Sequence, residues 1–201
     1  MIPGSYYHIY NHANGSENLF IEERNYHFFI EKISIHTLPF INLHAFCLLP
    51  NHFHLVITIK EFEEIKLLES FKTFQKLAND KLQPFVEKKI SKSFSNLFSS
   101  YAQTFNKVYQ RKGSLFMPNM KSVLIPDEAG ICKVVHYTHA NPVHHGFVKD
   151  MQEWKFSSYN AYLSKSPTKL LKGVILEIFG GKEYFIKYHQ QPIELKLKWD
   201  V

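Results

Sequence analysis

The chain has 201 residues, 45% hydrophobic and 21% charged, which suits one domain with a sizeable core and a small terminal extension. Net charge is +6 and the sequence pI is about 9.1, a balance that favours polyanionic partners. No apolar run approaches the length of a membrane helix, Met1-Ile2-Pro3-Gly4 carries no charged-then-apolar leader, and Cys47 and Cys132 cannot form a zinc finger. A cytoplasmic, reduced protein without membrane contact is the expectation.

The first strand spans Tyr6 to Tyr10 and gives way to the turn-rich Asn11-His12-Ala13-Asn14-Gly15. Glu22 to Thr37 reads as a helix, with Tyr26, Phe29, Ile30 and Ile33 at three- and four-residue spacing, and Pro39 ends it. Leu43 to Leu49 and Phe53 to Ile59 are strands joined by Pro50-Asn51 as a hairpin. A second helix runs from about Glu63 to Leu82, turning Ile65, Leu68, Phe71 and Leu77 inward, and Pro84 breaks it. A basic helical stretch continues to about Tyr109, Gly113 is a turn, and Lys121 to Ile125 is a short strand. Asp127 caps a helix that buries Ile131, Val134 and Val135 and closes at Pro142. Strand, helix, strand, strand, helix, strand, helix predicts an α+β fold of ferredoxin-like type, an antiparallel sheet with helices packed on it. Residues 1–150 then form the main domain, and 151–201 a helical extension packed on the core.

Charge is concentrated. The stretch Lys81 to Lys112 holds seven basic residues (Lys81, Lys88, Lys89, Lys92, Lys107, Arg111 and Lys112) against Glu87 alone, an excess equal to that of the whole chain. Such a stretch is either a solvated face or a surface that neutralises phosphates. The 18 Phe and 11 Tyr are mostly core, although exposed ones would suit stacking on unpaired bases.

Leu48-Leu49-Pro50-Asn51-His52-Phe53-His54-Leu55-Val56 carries the most pointed signal. Residues two apart on a strand share a face, so His52 and His54 can offer both imidazoles to one divalent ion while Phe53 and Leu55 pack behind. With 12 histidines, chance alone supplies about 0.7 such pairs, so context decides. The next alternate position is Val56, which disfavours a histidine-triad hydrolase. Imidazole leaves Mg²⁺, Mn²⁺ and Zn²⁺ open, and two ligands do not complete a site.

On the helix after Asp127, Lys133, Tyr137 and Asn141 form a polar stripe opposite Ile131 and Val134/Val135. Asn141 can supply a ligand oxygen, or it can cap its own helix before Pro142. A phenol with a pKa near 10 needs a metal, a base or a cation such as Lys133 before it attacks. Tyr101 and Tyr109 on the basic stretch compete with Tyr137 as nucleophiles. A metal that polarises a phosphate beside an attacking tyrosine is chemistry for cutting nucleic acid.

These residues resemble those of the single-tyrosine HUH transposases of bacterial insertion sequences, especially the REP-associated tyrosine transposases. The resemblance covers about residues 5 to 165. It rests on Tyr7-His8-Ile9-Tyr10-Asn11 with Asn18-Leu19-Phe20, on Leu49 to Leu55, and on Gly113-Ser114-Leu115-Phe116. It continues through Tyr137-Thr138-His139-Ala140-Asn141-Pro142-Val143-His144-His145-Gly146 and Trp154-Lys155-Phe156-Ser157-Ser158-Tyr159.

The resemblance implies a DNA transposase acting on single-stranded or hairpin DNA with Mg²⁺ or Mn²⁺. It makes His52, His54 and Asn141 the metal residues and Tyr137 the nucleophile that keeps the 5′-phosphate. The expected DNA-contacting cations are Lys88, Lys89, Arg111, Lys112, Lys121 and Lys133. A homodimer is possible in this family, with the tyrosine helix serving its own subunit or a partner's. Where relatives carry an arginine after the Gly113 motif this chain has Met117-Pro118-Asn119-Met120-Lys121, leaving Lys121 as the cation there. The Arg-Gly after the first strand is here His12-Ala13, and the stretch from Lys81 to Ser100 is longer than usual. A non-catalytic DNA-binding relative and a replication-initiator or relaxase-type nickase are the competing readings.

Overall fold

A strand buried along nearly its whole length must lie inside a sheet that is covered on both faces. Strand β3 (His52–Ile59) is such a strand, with only Thr58 partly open. The computed structural model describes residues 1–66 and 79–192, and places β3 second in a four-stranded antiparallel sheet. The sheet order is β2-β3-β1-β4, from β1 (Tyr6–His12), β2 (Ile41–Leu49), β3 and β4 (Lys121–Ile125). With helix α1 (Glu23–His36) between β1 and β2, and the long helix α3 (Asn79–Val108) before β4, this is the ferredoxin-like arrangement expected from the sequence.

Strand alternation sorts side chains between two cores. On one face Tyr7, Ile9, Phe53, Leu55 and Ile57 meet Tyr26, Phe29 and Ile33 of α1 and Val86, Ile90, Phe94 and Leu97 of α3. On the other, Ala45, Val56 and Ile125 pack under Ile131, Val134 and Val135 of helix α4 (Glu128–His144). That second core is completed by α5 (Tyr159–Leu163), α6 (Lys172–Ile178) and α7 (Lys182–His189), through Tyr159, Tyr162, Ile175, Phe179 and Phe185. Residues 151–192 are thus short helices and loops laid over the core. They also close the β2 edge: Leu48 N donates to Phe156 O (3.0 Å), Ser158 N to Phe46 O (2.9 Å) and Leu171 N to Leu43 O (2.9 Å).

Several boundaries differ from the sequence expectation. Strand β1 runs two residues past Tyr10, because Asn11 and His12 pair with Phe53 and His52 instead of opening a turn. A short helix α2 (Phe62–Lys66) begins where expected; Leu68, Phe71 and Leu77 lie outside the described residues. Pro84 does not break a helix: α3 passes through it, carried by the buried row Val86, Ile90, Phe94 and Leu97. Burial of that row outweighs the lost backbone hydrogen bond of one exposed proline. Pro142 likewise sits inside α4, which ends past Asn141 at His144. His145 N there donates to Asn141 O (2.9 Å), and Gly146 follows in the left-handed region at φ 71°.

Candidate metal and nucleophile site

The site begins at the Pro50-Asn51 turn. Its carbonyls are held from outside the hairpin: Ala13 N donates to Asn51 O (2.7 Å), and Leu19 N and Phe20 N both donate to Pro50 O (2.7 and 3.0 Å). This clasp sets where β3 starts, so His52 and His54 fall on the face that α4 covers while Phe53 enters the aromatic core. Both histidines are buried. Desolvation, then the neighbouring His12 and His145, lower His52 to about 4. Desolvation, then the nearby histidines, hold His54 well below the usual imidazole range. Both rings are therefore neutral at pH 7, the form that ligates metals.

Helix α4 supplies the rest. Asp127 caps it, its carboxylate accepting from Gly130 N at 2.7 Å. Ile131, Val134 and Val135 bury one side, and the stripe Lys133, Tyr137, Asn141 runs from solvent down to the sheet. The Tyr137 ring stands edge-on to His54 with centroids 5.5 Å apart, and edge-on to His8 at 6.1 Å. Asn141 is fully buried; its Nδ2 donates to Tyr137 O (3.1 Å) and its Oδ1 lies 3.5 Å from His52 Nε2. The amide is thereby held with its oxygen toward the imidazole, at a separation longer than a good hydrogen bond. The four residues singled out in the sequence converge on one face of the sheet.

Two imidazole nitrogens and an amide oxygen are a donor set that suits a divalent cation with open positions. Among the described residues no group of three or more His, Cys, Asp or Glu side chains is placed to hold a metal. The residues present fit an open site.

Three histidines at this site were not singled out from the sequence. His8 Nε2 lies 2.9 Å from His54 Nδ1. The His12 ring stacks on His52 at 4.7 Å, and His145 meets the same ring edge-on at 4.9 Å. Strand register brings in the first two, since His12 pairs with His52 and His8 with Val56, the next residue after His54 on the same face.

The rival tyrosines lie on the opposite face. Tyr101 is buried among Phe20, Phe29 and Phe116, donates to Leu19 O (2.6 Å), and has its phenol pushed far up by burial. Tyr109 donates to Glu22 Oε1 (2.6 Å). Lys88, Lys89 and Lys92 also ride on α3, over that opposite face, with Lys89 5.2 Å from the Phe85 ring centre. Arg111 is engaged by Glu17 through both carboxylate oxygens, and also donates to Asn106 Oδ1 (2.8 Å) and Ser114 O (2.9 Å). Lys112 is exposed beyond it. Lys121 pairs with Tyr10 at the edge of the sheet, on the histidine face, and Lys133 is exposed at the outer end of the α4 stripe.

A ferredoxin-like sheet with a His-x-His strand under a tyrosine-bearing helix is the arrangement that the resemblance to single-tyrosine HUH transposases implied. Comparison with known proteins bears that resemblance out. A curated protein of Haemophilus influenzae, provisionally named a REP-associated tyrosine transposase, is 25% identical over 118 residues, 58% of this chain and 57% of that protein. The chain thus matches little more than half the length of this relative. A solved structure of a REP-associated tyrosine transposase bound to a REP hairpin shares the fold, with a TM-score of 0.52 over 83% of this chain and 84% of that one, at 19% identity. No family model matches the chain.

Proposed function

We propose that this chain is a DNA transposase that nicks and rejoins single-stranded, hairpin-bearing DNA through a 5′-phosphotyrosine link at Tyr137. The observation that carries the proposal is the convergence of α4 on β3. Tyr137 stands 5.5 Å from His54, ring centre to ring centre, and Asn141 Oδ1 3.5 Å from His52 Nε2, all on one face of the sheet. The names of the sequence relative and of the hairpin-bound structural neighbour support the same reading.

In this reading His52 and His54, with Asn141 Oδ1, hold Mg²⁺ or Mn²⁺. Bound there, the cation supplies stabilisation for the negative charge that builds on the phosphate oxygens under attack. Asn141 and the clasped turn keep the donors in place. The edge-on packing against His8 and His54 holds the Tyr137 ring near the phosphate. The phenol gives up its proton, its oxygen bonds to phosphorus, and the bond from phosphorus to the 3′-oxygen breaks; that oxygen leaves as a hydroxyl after taking up a proton. One phosphate ester replaces another, so the reverse step on a second 3′-hydroxyl needs no external energy source.

The test is a denaturing gel of labelled hairpin DNA with the protein and Mn²⁺, followed by mapping of the adducted peptide. Wild type should form a covalent adduct at Tyr137. Tyr137→Phe should bind DNA and form none, while Tyr101→Phe and Tyr109→Phe should form it. An adduct that persists in Tyr137→Phe, or that maps elsewhere, overturns the assignment. Absence of any adduct with wild type would instead favour a non-catalytic DNA-binding protein.

A further inference from the structure

His8 is fully buried in β1, on the histidine face, and its role follows from how its two ring nitrogens are treated. Nε2 lies 2.9 Å from His54 Nδ1, whereas Nδ1 meets no hydrogen-bond partner among the described residues. A buried polar atom without a partner is a cost that a phenylalanine at the same position would avoid. The imidazole is therefore explained by what Nε2 does for His54.

One proton lies between the two rings. If His8 carries it, His54 Nδ1 is the acceptor, and a neutral His54 must hold its own proton on Nε2, leaving no lone pair there. If His54 carries it, Nδ1–H donates to His8 and Nε2 of His54 is bare. His52 shows the second arrangement in a form that cannot reverse. Its Nδ1 lies 2.8 Å from Asn51 Oδ1, an oxygen that only accepts, so its proton sits on Nδ1 and its Nε2 is the open atom facing Asn141 Oδ1. The two rings of the His-x-His pair are thus backed by different partners, a side-chain amide for His52 and an imidazole for His54.

We infer that His8 is the positioning residue of the metal site. It accepts from His54 Nδ1, fixes that ring's plane, and so leaves Nε2 of His54 open to a divalent cation, while its own proton rests on the unpartnered Nδ1. Outer partners of this kind orient metal-binding histidines and select their tautomer. The inference rests on the metal site proposed above and adds to it a residue that touches neither metal nor DNA.

The experiment measures Mn²⁺ affinity of the DNA-free protein by electron paramagnetic resonance, and ring-nitrogen NMR of His54 with diamagnetic Mg²⁺. His8→Phe keeps the shape but offers no acceptor; His8→Gln restores an acceptor oxygen. His8→Phe should weaken Mn²⁺ by about 10- to 100-fold, and His8→Gln should recover most of that loss. With Mg²⁺ bound, wild-type His54 should carry its proton on Nδ1. Wild-type affinity in a folded His8→Phe, or His8→Gln as weak as His8→Phe, overturns the inference. So does a Mg²⁺-loaded His54 protonated on Nε2, a result that needs no variant to fold. Failure of the site itself reads differently: Mn²⁺ affinity would then be unchanged in His52→Ala/His54→Ala.

Discussion

Asn141 Oδ1 faces His52 Nε2 at 3.5 Å although 89 residues separate them in the chain. The contact joins the strand of the histidine pair to the helix of the proposed nucleophile, and the hydrogen bond from Asn141 Nδ2 to Tyr137 O ties the same side chain to that residue's backbone. Asn141→Ala should therefore lower Mn²⁺ affinity by at least the roughly 10- to 100-fold seen when outer metal partners are lost, with helical content unchanged by circular dichroism. Unaltered affinity would reduce the amide to a brace within α4.

Of the cations expected to contact DNA, Lys121 and Lys133 lie on the histidine face, on the side of the sheet where Tyr137 would hold a strand. Each phosphate contact with single-stranded DNA contributes about 0.7 to the slope of log affinity against log salt. Lys121→Ala/Lys133→Ala should lower that slope by up to about 1.4, whereas Lys88→Ala/Lys89→Ala should lower it only if the DNA passes around to the α3 side. A salt titration of hairpin binding across the three proteins separates the two paths.

Arg111 fastens the segment that clasps the hairpin turn. Its guanidinium takes Glu17 and two groups of the 106–114 region, while Leu19 and Phe20, just beyond Glu17, hold Pro50 O. Arg111→Ala should cost about 1–2 kcal/mol in urea unfolding, a figure tempered by the partial exposure of Glu17. A double-mutant cycle with Glu17→Ala should show most of that cost as coupling between the pair. Additive effects would mean that the ion pair is incidental.

His189 closes the second core from α7. Its Nε2 contacts His139 Nδ1 at 2.9 Å, its Nδ1 contacts Phe185 O at 2.8 Å, and Tyr159 and His136 pack around it. Burial lowers it to about 3. The unfolded chain takes up a proton near pH 6.5 and the folded one does not, so stability is full above that pH and falls as the pH drops towards 3. His189→Gln should flatten the decline between pH 6 and 4 by up to about 1.4 kcal/mol per pH unit. Parallel stability curves for the two proteins between those pH values would show that His189 is not responsible.

The sequence made the proposed site legible where geometry is local. His52 and His54 share a face because strands repeat every second residue, and Tyr137 and Asn141 because helices bring i and i+4 together. His8, His12 and His145 were not legible in that way, since they reach the site through the pairing of β1 with β3 and the turn after α4. Arg111 shows the same limit from the other side. Its charge reads as a surface for phosphates, but Glu17 lies 94 residues away and nothing in the local pattern announces their meeting. Pro84 and Pro142 misled because a proline's cost is local, whereas the packing that outweighs it is spread along α3 and α4.

With Pro50 and Asn51 held by their carbonyls, the start of β3 is a fixed point, and every residue after it has a side already assigned. One codon inserted between Asn51 and His54 would have to be absorbed inside the strand, sending an imidazole among phenylalanines and a phenyl ring beneath Tyr137. Descendants of this gene can change letters there but not length. At the exposed residues 165–169, between α5 and α6, an added residue meets only solvent. Gaps in alignments of its descendants should therefore collect in that loop and spare the hairpin.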